Sequence, residues 1–181
     1  MLRFNIAALA LALVSFPALA QQYPTRAVRL LIPFTAGSAA DIIARAMEPA
    51  LRERLGQPLV IDNRGGAGGN IAAELTAKAP NDGYTLLLST LSIQSINVSL
   101  YSKLNYNPQR DLTPVTLLGD SPNAMVLNPS VPARTVQEFI ALARSKPGML
   151  NYSSSGTGTT VHLSGVLFGV MTGTTMIHVP F

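Results

Sequence analysis

Apolar positions along the chain fall into short blocks, separated by glycine-rich and hydroxyl-rich turns. Leu30, Leu31 and Ile32 form a run that ends at Pro33, which predicts a strand over residues 27–33 covered on both faces. The period then changes. Ile43, Met47, Leu51 and Leu55 recur at four-residue spacing and predict one apolar face of a helix over residues 39–55. Pro49 lies inside it and is expected to bend or locally break it, and Gly56 ends it. A second strand follows over 57–61 and a short helix over 71–78. Pro80-Asn81-Asp82-Gly83 then makes a turn, with proline fixing φ, an Asx side chain and a glycine. The third strand is predicted over 84–88. Strand–helix–strand units this short imply a parallel sheet joined by right-handed crossovers.

The pattern is less regular after Leu88. Residues 97–107 are polar and read as a loop. Two strands are expected at 115–118 and 124–127, separated by Gly119-Asp120-Ser121-Pro122, and no helix fits between them. The alternation breaks there, so a crossover between a first lobe (21–122) and a second (123–181) is placed at this point. Thr135 and Glu138 have the spacing of a capping box and open a helix over 136–145, with Val136, Phe139, Ile140 and Ala143 as its buried stripe. Lys146-Pro147-Gly148 stops it. The opening pattern then recurs: a strand over 150–153, a turn over 154–160, a helix over 161–172 and a new strand from Thr175.

The first 20 residues stand apart from this organisation. Arg3 supplies a positive start, residues 6–14 an apolar core, and Ala18-Leu19-Ala20 a small-x-small cleavage site. The apolar run is too short for a spanning helix. The expectation is an export signal cleaved before Gln21 and a periplasmic location.

Removing the first 20 of 181 residues leaves 161, enough for one domain or two small ones. The positive charges are scattered singly, so there is no basic stripe of the kind nucleic acid requires. The chain has no cysteine, which excludes disulfides and thiolate chemistry, and no tryptophan.

The candidate chemistry lies in the turns. In Thr35-Ala36-Gly37-Ser38, Ser38 can cap the helix and Asp41 follows three residues later. The N–H groups of residues 36–39 would then point from a positive helix end, as an anion cradle or an ordinary strand-to-helix turn. Residues 62–70 lack the ending of a phosphate-binding P-loop, and Ile71 stands where a dinucleotide fingerprint needs its third glycine. Those glycines are read as structural, with Arg64 anchoring the loop by an ion pair, and no cofactor is expected. Ser89 to Gln94 is a hydroxyl-rich stretch at the carboxyl end of a strand, the edge where open α/β sheets bind ligands. Ser154 to Thr160 forms a second cradle, with His162 in the first turn of the next helix. That histidine either donates to a ligand carboxylate or satisfies a nearby backbone group. A hydrolase using Ser155 and His162 is the enzymatic alternative, but no G-x-S-x-G elbow surrounds any serine. With two histidines and no H-E-x-x-H, no metal site is expected. Two cradles on two lobes suggest a hinged clamp on a small anion.

Five stretches, YPTRAVRLLIPFTAGSAAD, LGQPLVIDNRGGAGGNIAA, PNDGYTLLL, YSSSGTGTTVHLSG and the closing HVPF, resemble in order the signatures of the tripartite tricarboxylate transporter substrate-binding proteins, or Bug receptors. The resemblance runs from Tyr23 to Phe181. It implies an α/β, two-lobed periplasmic binding protein of type II with a hinge. Such a receptor hands a small organic anion (a di- or tricarboxylate, an amino acid or an aromatic acid) to a membrane permease with a large and a small subunit. It implies no enzymatic activity and no nucleic-acid partner. By the same resemblance, one ligand carboxylate meets Thr35, Ala36, Gly37, Ser38 and Asp41, partly through water. Ser155, Gly156, Thr157, Gly158 and Thr159 contribute from the opposing lobe, with His162 nearby, and Thr90 and Gln94 line the cleft.

The sequence departs from the family pattern at Ser38, in place of a second glycine, at Gly65, in place of a proline, and at Val98, where proline is common. It also stops at HVPF, and family members are roughly twice as long as a domain of this size. The expectation is a chain lacking its C-terminal half, with the rest of the second lobe absent. A truncated product without binding function is the further alternative.

Overall fold

The computed structural model describes residues 22–181; the expected export signal and its cleavage site lie outside them. Strands β1 (Val28–Ile32), β2 (Leu59–Asn63) and β3 (Thr85–Leu87) form a parallel sheet in the order β2-β1-β3. Val28 pairs with Leu59 and Ile32 with Asn63, while Arg29 to Leu31 pair with Thr85 to Leu87. The central strand is the buried one: Val28, Leu31 and Ile32 are almost completely shielded. This is the expected consequence of a continuous apolar run in a strand with neighbours on both sides.

Helix α1 (Ala39–Leu55) joins β1 to β2 over the predicted range. Ser38 caps its start by accepting from the Asp41 N–H at 3.3 Å, and Gly56 ends it in the left-handed conformation at φ 66°. The helix continues through Pro49, which only forgoes its own N–H bond to the preceding turn. Its inward line begins one residue later than the spacing implied. Ala44 is buried and Met47, Leu51 and Leu55 are half-buried behind it, whereas Ile43 is exposed.

Between β2 and α2 (Asn70–Ala77) the chain makes a tight 3₁₀ turn, Ala67–Gly69. Gly68 and Gly69 take φ of 62° and 92° there, and a Cβ on Gly69 would lie 2.9 Å from Ile93 Cδ1. The structural reading of these glycines therefore holds. Arg64 also pairs with Asp62 as expected, at 2.9 Å.

The segment after β3 corrects the sequence reading. Residues 97–107 are not simply a loop: a π-helical turn, Ser92–Ile96, runs into α3 (Asn97–Leu100), and α4 (Pro108–Asp111) follows. Ile93 and Tyr106 are core residues, packed with Ala73 and flanked by Leu87, Leu104 and Leu112. Asn97 is fully buried. Its amide nitrogen donates to Gly68 O (3.1 Å) and to Asn70 Oδ1 (2.7 Å), and the Tyr106 hydroxyl donates to the same Asn70 oxygen at 2.8 Å. Polar side chains that satisfy one another can lie inside a core, so polarity alone misidentified this segment.

The strands expected at 115–118 and 124–127 do not form. Among the described residues no strand pairs with either, and Val115, Leu117 and Val126 are 83%, 78% and 85% exposed. A β pattern without a hydrogen-bonded neighbour remains extended chain.

The remaining elements build a second unit. Helix α5 (Val136–Ser145) starts at Thr135, whose hydroxyl accepts from Glu138 N at 3.2 Å. The return bond of the predicted box is displaced by one residue, because the Glu138 carboxylate accepts from Arg134 N at 2.6 Å. Phe139 and Ala143 are buried; Val136, placed on the same stripe, is exposed. Strands β4 (Asn151–Ser154) and β5 (Ile177–Pro180) pair in parallel, joined by α6 (Thr160–Thr172). Gly165 lets α6 lie against Tyr152, since a Cβ there would clash with the tyrosine ring. Phe139 meets Phe168 at 5.9 Å between ring centres, and Arg144 donates twice to Thr172 O at the end of α6.

Ile93 links the Gly69 turn to the Tyr106 cluster, so Ile93→Ala should cost about 3 kcal/mol of unfolding free energy. Urea denaturation of the two proteins tests this; equal midpoints would remove Ile93 from the core.

Candidate functional site

Parallel pairing places the β1–α1, β2–α2 and post-β3 turns on one edge of the first sheet, and the β4–α6 turn on the corresponding edge of the second. In the first turn Thr35, Ala36 and Gly37 are exposed and Ser38 is half-buried. Asp41 is not presented outward. Its side chain is 3% exposed; one oxygen accepts from Gly37 N (2.9 Å) and from Arg45 Nε (3.0 Å), and the other is buried without a partner. The Arg45 guanidinium, helped by the Gly37 N–H, lowers the Asp41 pKa to about 2. Asn63 braces the same turn by donating to Phe34 O at 3.1 Å. The expectation of four free N–H groups at 36–39 is corrected accordingly: Gly37 N is held by Asp41, and Ser38 N donates to Thr35 O at 3.2 Å. The turn is held in shape by consuming two of its own donors.

Thr90 and Gln94 follow β3 on the same edge. The Thr90 hydroxyl is buried without a hydrogen-bond partner, and Gln94 donates to Ser89 Oγ at 2.7 Å.

The second cradle is organised by its first residue, Ser154, which is not among the ligand contacts that the resemblance implies. Its hydroxyl bonds Gly156 through both N–H (3.2 Å) and carbonyl (3.1 Å), and meets His178 Nε2 at 2.7 Å. Ser155 and Thr157 face solvent, whereas Gly158 and Thr159 are buried. The Thr159 hydroxyl donates to Gly156 O and caps α6 by accepting from His162 N at 3.3 Å. His162 satisfies a backbone group: Nδ1 accepts from Gly158 N at 3.2 Å, which assigns the neutral ring's proton to Nε2. Burial, with the neighbouring His178, lowers the His162 pKa below its ordinary value. The two imidazoles stack at 4.1 Å, and His178 packs on Tyr152 at 5.0 Å.

This geometry overturns the Ser155–His162 pairing. Ser155 does not bond His162; the serine that meets a histidine is Ser154, and its partner is His178. Among the described residues neither imidazole bonds a carboxylate, and no group of side chains is suited to hold a metal. His178, in the closing HVPF stretch and the strand from Thr175, is not among the site residues expected from the sequence. The signal for it was the β4–α6–β5 unit itself, because parallel pairing sets His178 opposite Tyr152.

The two units meet at these turns. Tyr101, just beyond α3, donates its hydroxyl to Thr157 O at 3.2 Å, and a Cβ on Gly68 would lie 2.9 Å from the same carbonyl. A separate shallow groove, lined by Glu48, Arg52 and Gln57, lies at the far end of α1 from Ser38.

Residues 43–181 match the TctC family, the tripartite tricarboxylate transporter family receptor. Protein BugT of Bordetella pertussis is 36% identical over 169 residues, covering 93% of this chain and 52% of that protein. R. palustris Rpa4515, solved with adipate, superposes with a TM-score of 0.85 at 43% identity, over 88% of this chain and 53% of that one. MatC from Rhodopseudomonas palustris, with bound malate, gives 0.82 at 34% identity, over 88% and 54%. The chain spans about half the length of the curated relatives it matches. On a family match across most of its residues, this chain belongs to the tripartite tricarboxylate transporter family of receptors.

Proposed function

We propose that the protein carrying this chain is a periplasmic solute receptor. It captures a small organic anion of the carboxylate class and delivers it to the membrane permease of a tripartite transporter. The observations that carry this reading are the strand-to-helix turns gathered on one edge of the first sheet, where Thr90 keeps a buried hydroxyl without a partner, and the contact of the glycine- and hydroxyl-rich 154–160 turn with Gly68 and Tyr101 of the first unit. Such turns bind carboxylates through N–H and O–H donors at positive helix ends, without a buried cation. Similarity to receptors solved with adipate and with malate supports the same class. Neighbours of this kind are binding proteins and not enzymes, which agrees with the failure of the Ser155–His162 pair. The export signal read in the first 20 residues fits a periplasmic receptor.

Within this reading the site residues divide into two groups. Thr35, Ala36, Ser38, Thr90, Gln94, Ser155 and Thr157 contact the ligand directly or through water. Gly37, Asp41, Gly156, Gly158, Thr159 and His162 have their polar groups committed to the turns and shape them.

A ligand present at a hundred times its Kd should add about 2.7 kcal/mol of stability. Thermal unfolding with malate, adipate, an amino acid and an aromatic acid as probes tests this. Thr90→Val should weaken whichever acid binds by about tenfold, the worth of one hydrogen bond to a charged group. No shift with any of the four acids would contradict the reading.

His162 adds a pH signature. Its pKa is lowered in the folded protein, so the unfolded chain binds the proton more tightly. The stability it contributes is complete above its ordinary value of 6.5 and is lost as the pH falls through the lowered one. The Asp41 contribution is lost separately, between 3.8 and about 2. Urea unfolding between pH 7.5 and 5 should therefore show a steeper loss for the parent than for His162→Asn, whose amide oxygen can still accept from Gly158 N. Equal slopes would contradict a buried neutral His162.

A further inference from the structure

Asn97 is fully buried, and its amide nitrogen is fixed by Gly68 O and Asn70 Oδ1. That pair of hydrogen bonds sets the orientation of the whole side chain. Its oxygen, buried and without a hydrogen-bond partner, therefore faces the second unit's turn. Gly158 closes against it: a Cβ there would lie 2.9 Å from Asn97 Oδ1 and 2.8 Å from Leu100 Cδ2. Gly68 answers from the first unit, where a Cβ would lie 2.9 Å from Thr157 O, and Tyr101 donates to that same carbonyl at 3.2 Å. Two glycines, each with positive φ, thus allow close approach where the units meet, Gly68 against the Thr157 carbonyl and Gly158 against the side chains of Asn97 and Leu100.

We propose that Asn97 and Tyr101 are positioning residues: with Gly68 they form a latch that presets the 154–160 turn against the first unit before any ligand arrives. This rests on the receptor reading for its consequence, though not for its geometry. A turn already held in place loses little conformational freedom on binding. Weakening the latch should therefore raise the ligand's dissociation rate more than it lowers the association rate. The glycine-rich stretch 65–69, structural in the sequence, acquires a second role as the seat for the opposing turn.

Two variants probe the latch. Tyr101→Phe removes one hydroxyl from a half-exposed ring and leaves Asn97 in place. Gly158→Ala adds a methyl group against Asn97 and Leu100. Amide hydrogen exchange is measured on the whole chain without ligand. Exchange across residues 154–160 should rise by about two- to tenfold in Tyr101→Phe, the worth of one ordinary hydrogen bond, and further in Gly158→Ala. The β1 amides should be unchanged in Tyr101→Phe. Unchanged exchange across 154–160 in Tyr101→Phe overturns the latch, and this variant alone decides if Gly158→Ala does not fold. Malate and adipate are then used as probes in stopped-flow binding. Faster dissociation from Tyr101→Phe supports the positioning role, and equal dissociation overturns it. If the parent binds neither probe, the carboxylate reading loses its support while the exchange experiment still decides the latch.

Discussion

Parallel strand pairing is the constraint on which the rest of this structure depends. A parallel neighbour can be reached only by a crossover, so each strand must end in a turn that leads away from the sheet. Because β1, β2 and β3 point the same way, all three of their exits lie on one edge. The β4–α6 exit has the same relation to the second sheet. The site is thus made of turns because the topology gathers turns. The buried run Val28, Leu31 and Ile32 holds the first group in place.

Rigidity at those turns comes from internal use of polar groups. Asp41 takes Gly37 N, Ser154 takes both polar groups of Gly156, and His162 takes Gly158 N. Each bond removes a donor or acceptor that a simple cradle would have offered to a ligand and fixes the direction of those that remain. A site that recognises a carboxylate with main-chain and hydroxyl donors needs such fixing, since no charged side chain supplies the attraction. The Asn97 hub extends the same economy inward, tying the β2–α2 turn to α3 and exposing one oxygen to the opposing turn.

How much the sequence disclosed depended on whether the deciding contact was local. Helices α1 and α5 begin at capping residues, Ser38 and Thr135, and their ranges were legible from those residues. Gly68 and Gly69 announced a turn because few other residues adopt its backbone. Asn97 and Tyr106 were misread as loop residues, because their polarity is neutralised by partners 27 and 36 positions away at Asn70. Val115 to Leu118 had strand-forming residues but, among the described residues, no neighbouring strand. His178 could be placed only through the β4–α6–β5 unit, since pairing between β4 and β5 brings it to Ser154. Both strand-to-helix turns were recognisable in the sequence, but not which of their donors were already spent.

The central claim is that the two turns act together on one small anion. It is tested most directly by following backbone amide resonances during titration with malate and with adipate. The account predicts that one acid shifts the amides of residues 35–38 and 155–158 together, along a single binding curve. Shifts confined to one turn, or to the distant groove at Glu48 and Arg52, would contradict it.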